Sequence, residues 1–322
     1  EALQLTDVAA RNLSGAAAAR NDMQRALIHQ RLGDNRQALH SYAAALEGLE
    51  AAGDRVGAAR LRINRSIIHV YSGDVDAAVE DLEQAHRIAV EEGQTLLEAA
   101  CAHNLGFSHG RRRDVPQALV WFDRAEQIFT RLRAGQRMAA LLSDRAEVYA
   151  DVGLMHDALA DARAAVDHLR SEGEGPALAD ALLVLAGIAD VAGEIGTARE
   201  CAAEARRLFA PQGPRQWELK AAQTETLAAL RASPNRRQLG RMLSLVARLD
   251  SAGWEWEATR ARIEAGRVAF DLGDMEATVE VLSQLEDTTG PDSHLDQVAR
   301  AEARYMLATA RNMESEARRA IE

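Results

Sequence analysis

Little in this sequence offers chemistry. Two cysteines occur in 322 residues, Cys101 and Cys201, and they stand far apart. That spacing argues against a disulfide framework and for a reducing, cytoplasmic compartment. Lysine is almost missing: Lys220 is the only one, so 37 of the 38 basic residues are arginine. With the heavy alanine usage, this fits a GC-rich bacterial genome. Basic residues are outnumbered by 49 acidic ones, for a formal net charge of −11. A protein that grips nucleic acid by its phosphates needs a basic face, so no nucleic-acid partner is expected. No apolar run nears the roughly 18 residues of a membrane span, and no secretory-signal pattern opens the sequence, so no membrane partner is expected either. There is no G-x-S-x-G, no H-E-x-x-H, no paired CxxC and no Walker glycine loop. Hence no catalytic residue, no metal and no cofactor is expected.

What is present is a period. Gly33, Gly73, Gly153, Gly193 and Gly273 lie on one 40-residue grid, with Arg113 and Ser233 at its two other points. Gly53, Gly93, Gly173, Gly213 and Gly253 form a second grid. Ala38, Ala78, Ala118, Ala158 and Ala198 form a third, and Ala45, Ala85, Ala125, Ala165 and Ala205 a fourth, which continues as Leu245 and Leu285. No gap interrupts seven periods, and self-similarity at such a period marks a repeat architecture.

Each period predicts two helices. The first, as in residues 20–32, carries Met23, Ala26 and Leu27 at helical spacing. It ends at Gly33, since glycine takes the left-handed conformation that closes a helix, and Asp34 can cap the next one. The second helix shows a stripe of Ala38, Leu39, Tyr42, Ala45, Leu46 and Leu49 and stops near Gly53. Small residues belong where two helix backbones approach, and Tyr42, Leu82 and Phe122 fill the space beside them. One pair cannot bury its apolar face alone, so stacked neighbours must share a core.

In CAHNLGFSHGRRRDVPQALVWFDRA, Asn104-Leu105-Gly106, Asp114, Ala118, Phe122 and Ala125 fall in the order of the tetratricopeptide repeat (TPR). The family's small residue recurs as Ala26, Ser66, Gly106, Ala146, Ala186, Thr226 and Gly266, and its aromatic column begins His29, His69, His109, Tyr149. The chain thus resembles a TPR array of the 40-residue type. The resemblance implies an all-α, right-handed TPR α-solenoid, a superhelix of about seven helix pairs with partial terminal repeats. The expected domain is one solenoid over 1–322: a partial repeat at 1–15, repeats at 16–55, 56–95, 96–135, 136–175, 176–215, 216–255 and 256–295, and a partial last repeat at 296–322. Repeat 216–255 is degenerate, because Ser233-Pro234 replaces Gly-Asp and Gln238 replaces the alanine. Carried to the end, the grid puts Met313 at a turn.

The stretch CAHNLGFSHGRRRD looks reactive, but the repeat absorbs it. Cys101 falls in a mostly apolar column, where a buried thiol is expected rather than a nucleophile. His29, His69 and His109 sit on parallel helices about 8–10 Å apart, too far to converge on a metal ion. Arg111, Arg112 and Arg113 end a helix, where its dipole favours cations.

In TPR solenoids the first helices line the concave face, and the resemblance places the candidate partner-binding residues there. They are Met23, Leu27 and Arg31; Ile63, Asn64, Ile67 and Tyr71; and His103, Asn104, Phe107 and Arg111. An apolar strip of this kind suits a protein or peptide partner. Farther along, Asp144, Glu147, Asp151, Asp180 and Asp190 turn the same face acidic. The phrases HNLGFSHGRRRDVPQALVWFDRAE and AGWEWEATRARIEAGRVAFDLGD resemble the TPR segment of actinobacterial CHAT proteins, in which an array precedes a caspase-like protease domain. That implies a regulatory, recognition module with a protease domain outside these residues. The other expectation is the sensory array of a bacterial transcriptional or signalling regulator, binding a peptide or small molecule in its groove.

Overall fold

A computed structural model of the chain describes residues 2–10, 13–31, 34–173, 175–209, 215–252, 255–285 and 294–321. Among these, every regular element is an α-helix. The chain divides into two compact units, Glu1–Asp161 and Ala162–Glu322. The first holds α1 (Ala2–Ala10), α2 (Gly15–Arg31), α3 (Asn35–Ala51), α4 (Arg55–Tyr71), α5 (Val75–Glu91), α6 (Thr95–Arg111), α7 (Val115–Leu132) and α8 (Gly135–Asp151). Helix α9 (Met155–Glu172) contains the division. The second holds α10 (Pro176–Val191), α11 (Ile195–Phe209), α12 (Arg215–Ala232), α13 (Arg236–Ser251), α14 (Glu255–Asp271), α15 (Met275–Ser283) and α16 (His294–Ile321).

The turns follow the grid. Gly73, Gly153, Gly193 and Gly273 all have positive φ, and so do Gly53, Gly93 and Gly173 on the second grid. Gly33, Gly213 and Gly253 lie outside the described residues. Two grid points without glycine adopt the same conformation: Arg113 has φ 63° and Arg133 has φ 51°. The surrounding helices therefore impose the left-handed turn even on residues that favour it little. Asp34 accepts from the Gln37 N–H at 3.1 Å, Asp54 from the Gly57 N–H at 2.9 Å, and Asp74 and Asp114 cap their helices likewise. The worn turn after α12 is also capped, one residue later than the grid: Asn235 accepts from the Gln238 N–H at 3.0 Å. Met313 departs from expectation and lies inside α16, because no glycine or capping residue stands there to end the helix.

The alanine columns are closed to solvent. Ala38, Ala78, Ala118, Ala158 and Ala198 are fully buried, as are Tyr42, Leu82 and Phe122. A Cβ on Gly106 would come within 2.7 Å of the Phe122 ring, so the repeat's small residue and its large one form a matched pair. In unit 1 the inner side can be read from the spacing of helices. α2 and α4, α4 and α6, and α6 and α8 approach with Cα atoms within 8 Å, whereas α3 and α5, or α5 and α7, do not. First helices crowd and second helices splay, which makes the first-helix side concave. In unit 2 the same holds for α10 with α12 and α12 with α14.

Candidate functional site

The expected strip in unit 1 divides by depth. Met23 and Leu27 are half-buried and pack on the core around Tyr42. Ile63 is half-buried against Leu82, Leu105 and Cys101. Ile67 and Phe107 are half-buried too. These residues spend much of their apolar area joining first helices to their neighbours. Tyr71 does not: it ends α4 with 77% of its surface exposed. Arg111, one repeat on, is also exposed, with Nη1 at 3.6 Å from Asp151. The backbone of Arg31 belongs to α2, but its side chain lies outside the described residues.

The polar members do more local work than the sequence suggests. His103 is buried, with Nε2 at 2.8 Å from the Asp144 carboxylate, which links α6 to α8 across the inner face. Its ring leans on Phe122 and Phe129. Asn104 donates its amide N–H back to the Ala100 carbonyl at 2.8 Å, so that donor is engaged within α6. Asn64 is half-buried.

Charge gathers around the Tyr71 ring. Its phenol pKa is raised, first by the protein that displaces water around it, then by the carboxylates of Glu147 and Asp144, against the opposing effect of Arg111.

Neither cysteine is poised for attack. The Cys101 thiol is buried and pushed up to about 12, chiefly by burial, and Cys201 is raised for the same reason. A nucleophilic thiol needs the opposite shift. Among the described residues no three His, Cys, Asp or Glu side chains are grouped to hold a metal ion. None of the described helices is long and apolar enough to cross a membrane.

A tetratricopeptide-repeat family model matches residues 15–91. It spans α2 to α5, the first two helix pairs. No curated protein matches the sequence. Among solved structures, a Rap protein complexed with competence and sporulation factor superposes with a TM-score of 0.69 over 97% of this chain and 80% of its own, at 16% identity. The apo quorum sensor NprR of B. thuringiensis gives 0.69 over 88% and 80%, at 13% identity. The Rap conjugation regulator of plasmid pLS20, in complex with the Phr* peptide, gives 0.61 over 95% and 76%, at 13%. The fold is thus that of the TPR-like helical solenoids.

Sequence reasoning missed the ion pairs that cross between helices. Arg65 holds Asp81 through two bonds, with Nε at 2.7 Å, and Arg145 holds Asp161 through Nε at 2.6 Å. The two pairs occupy equivalent positions two repeats apart. In the intervening repeat those positions are Leu105 and Trp121. The signal was available: an arginine and an aspartate that replace an apolar pair at the same spacing.

Proposed function

We propose that this chain is a regulatory scaffold that binds a protein or peptide along the inner face of unit 1, on the strip from Met23 and Leu27 through Tyr71 to Arg111. The observation that carries the reading is Tyr71, a large aromatic side chain left open on a concave face while the apolar residues beside it are packed. Open aromatic rings of this kind anchor partners, because they bury much area at little entropic cost. Two of the structurally similar proteins were solved with bound factors or peptides, which supports a peptide as the occupant and a sensory array as the setting. The residues from His103 to Glu126 support the other setting, a recognition module attached to a CHAT protease domain. In both settings this chain contributes binding and no catalysis.

The test is site-specific crosslinking. A photoreactive phenylalanine analogue replaces Tyr71 in one sample and exposed Glu83, on the outer helix α5, in another. Adducts from position 71 that are not seen from position 83, and that are competed away by excess unlabelled chain, are expected. Equal adducts from both positions would move the binding face elsewhere.

A further inference from the structure

A recess of about 280 Å³ opens between the second helices α3 and α5, with α4 between them. Glu50 of α3, Arg62 and Arg65 of α4, and Glu80 and Gln84 of α5 stand on its walls. The Arg62 side chain is only 10% exposed, and its Nη2 donates to Glu50 at 2.8 Å. Its Nε and Nη1 have no hydrogen-bond partner among the described residues. A buried donor left unpaired is costly. Arg65 is engaged, with Nε at 2.7 Å from Asp81, and Gln84 donates its amide N–H to Glu80 at 3.3 Å within α5.

The repeat supplies a comparison. Five periods on, Glu50, Arg62, Glu80 and Gln84 recur as Asp250, Arg262, Glu280 and Gln284. The periods between hold Ala102, Leu142, Leu182 and Ala222 at the arginine's position. The Arg262 side chain is buried to the same degree, at 11% exposed, and Nη2 likewise donates to the carboxylate of Asp250. Its Nε, however, donates to the side-chain carbonyl of Gln284 at 3.1 Å. The later site thus shows which acceptor this arginine takes once its carboxylate is in place: the oxygen of a neutral carboxamide. An anion suits the Arg62 recess less. Arg62 and Arg65 face Glu50, Glu80 and Asp81 there, one negative charge in excess with His69 counted as neutral.

We propose that the recess between α3, α4 and α5 binds a small molecule through a carboxamide, whose carbonyl oxygen accepts from Arg62 as that of Gln284 does from Arg262. Glu50 and Glu80 on the same walls are the acceptors for its amide N–H groups. The volume lies near the lower end of small-molecule pockets, roughly 300 Å³, which sets the size of the ligand. The unpaired donors are shut off from bulk water, so the ligand reaches them as Glu50 or Gln84, both long side chains of the wall, turns aside. The site is separate from the peptide strip of the inner face, none of whose residues lines it.

The probe is propionamide, followed through the arginine Nε–H signals of the isotope-labelled whole chain by NMR. Arg62→Lys and Arg262→Lys assign the two signals. The Arg62 signal is expected to shift saturably on titration, while that of Arg262 stays, because its Nε is already engaged. Propionate, of the same shape but anionic, should bind about tenfold more weakly. Ala77→Leu, which fills the recess and leaves its polar groups in place, should abolish the Arg62 shift. Should Ala77→Leu change the far-UV circular dichroism, the titrations of the native chain decide alone. A shift that does not saturate, or that Arg262 shares, would be a solvent effect of the amide and would overturn the site. Propionate binding as tight as that of propionamide would overturn the carboxamide assignment. An Arg62 signal that propionamide leaves unmoved would overturn the proposal, and faster exchange of that Nε–H with water in Gln84→Ala would then name Gln84 as its acceptor.

Discussion

At the scale of single residues, fit inside each repeat is set by the small residue of the first helix against the large one of the second. Gly106 is one such case, because a Cβ there would come within 2.7 Å of the ring of Phe122. Phe122 is fully buried and also touches His103, so it has little room to give way. Overpacking of this sort costs about 1–3 kcal/mol. Gly106→Ala is therefore expected to lower stability by about 2 kcal/mol in urea unfolding. Adding Phe122→Leu, the residue that the preceding repeat carries at Leu82, should recover part of the loss. Alanine columns and turn glycines were legible in the sequence, since period and residue size suffice to find them. The division of the inner strip into packed and open members was not. Leu27, Ile67 and Phe107 share a column and are all half-buried, whereas Tyr71 stands one turn on, at the end of α4, and is open.

At the scale of helices, charge takes over from hydrocarbon in particular columns. Asp81 is buried and grips Arg65 from the facing helix. Removing one member of such a pair leaves the other charged and poorly solvated, at a cost of about 3–5 kcal/mol. Asp81→Ala should lose about 3 kcal/mol in chemical denaturation. The double change Arg65→Leu with Asp81→Leu should lose far less, because the equivalent Leu105 and Trp121 show that the seam accepts apolar side chains. Helix ends were read well from the sequence where an aspartate follows the turn, as at Asp34 and Asp74. In the degenerate repeat, where Ser233-Pro234 replaces Gly-Asp, the cap stands one residue later, at Asn235. Arg113 and Arg133 show the converse: position in the repeat, rather than residue type, sets the left-handed turn.

At the scale of the molecule, energetics follow adjacency. Within each unit, helices touch those next in sequence and the next first helix along, as α6 touches α4, α5, α7 and α8. Stability in such stacks is close to a sum of repeat terms and nearest-neighbour terms. Hydrogen exchange of Gly106→Ala should accordingly show lost protection in α4 to α8 and unchanged protection in α12 to α14. Uniform loss over the chain would mean that it unfolds as one cooperative body.

The junction between repeats carries one more consequence. Arg62 of α4 is buried and bonds Glu50 of α3 at 2.8 Å, and Arg262 of α14 pairs with Asp250 of α13 in the same way. Val90 and Ala102 stand at the corresponding positions of the next junction. An unbroken 40-residue period invites unequal crossing-over, which copies or deletes whole repeats without disturbing their phase. A tandem copy of residues 56–95 would set the second Arg62 against Val90 in place of Glu50. Inherited duplications at that junction would be selected against by charge alone, so a few buried arginines act as punctuation that fixes the order of otherwise interchangeable cassettes.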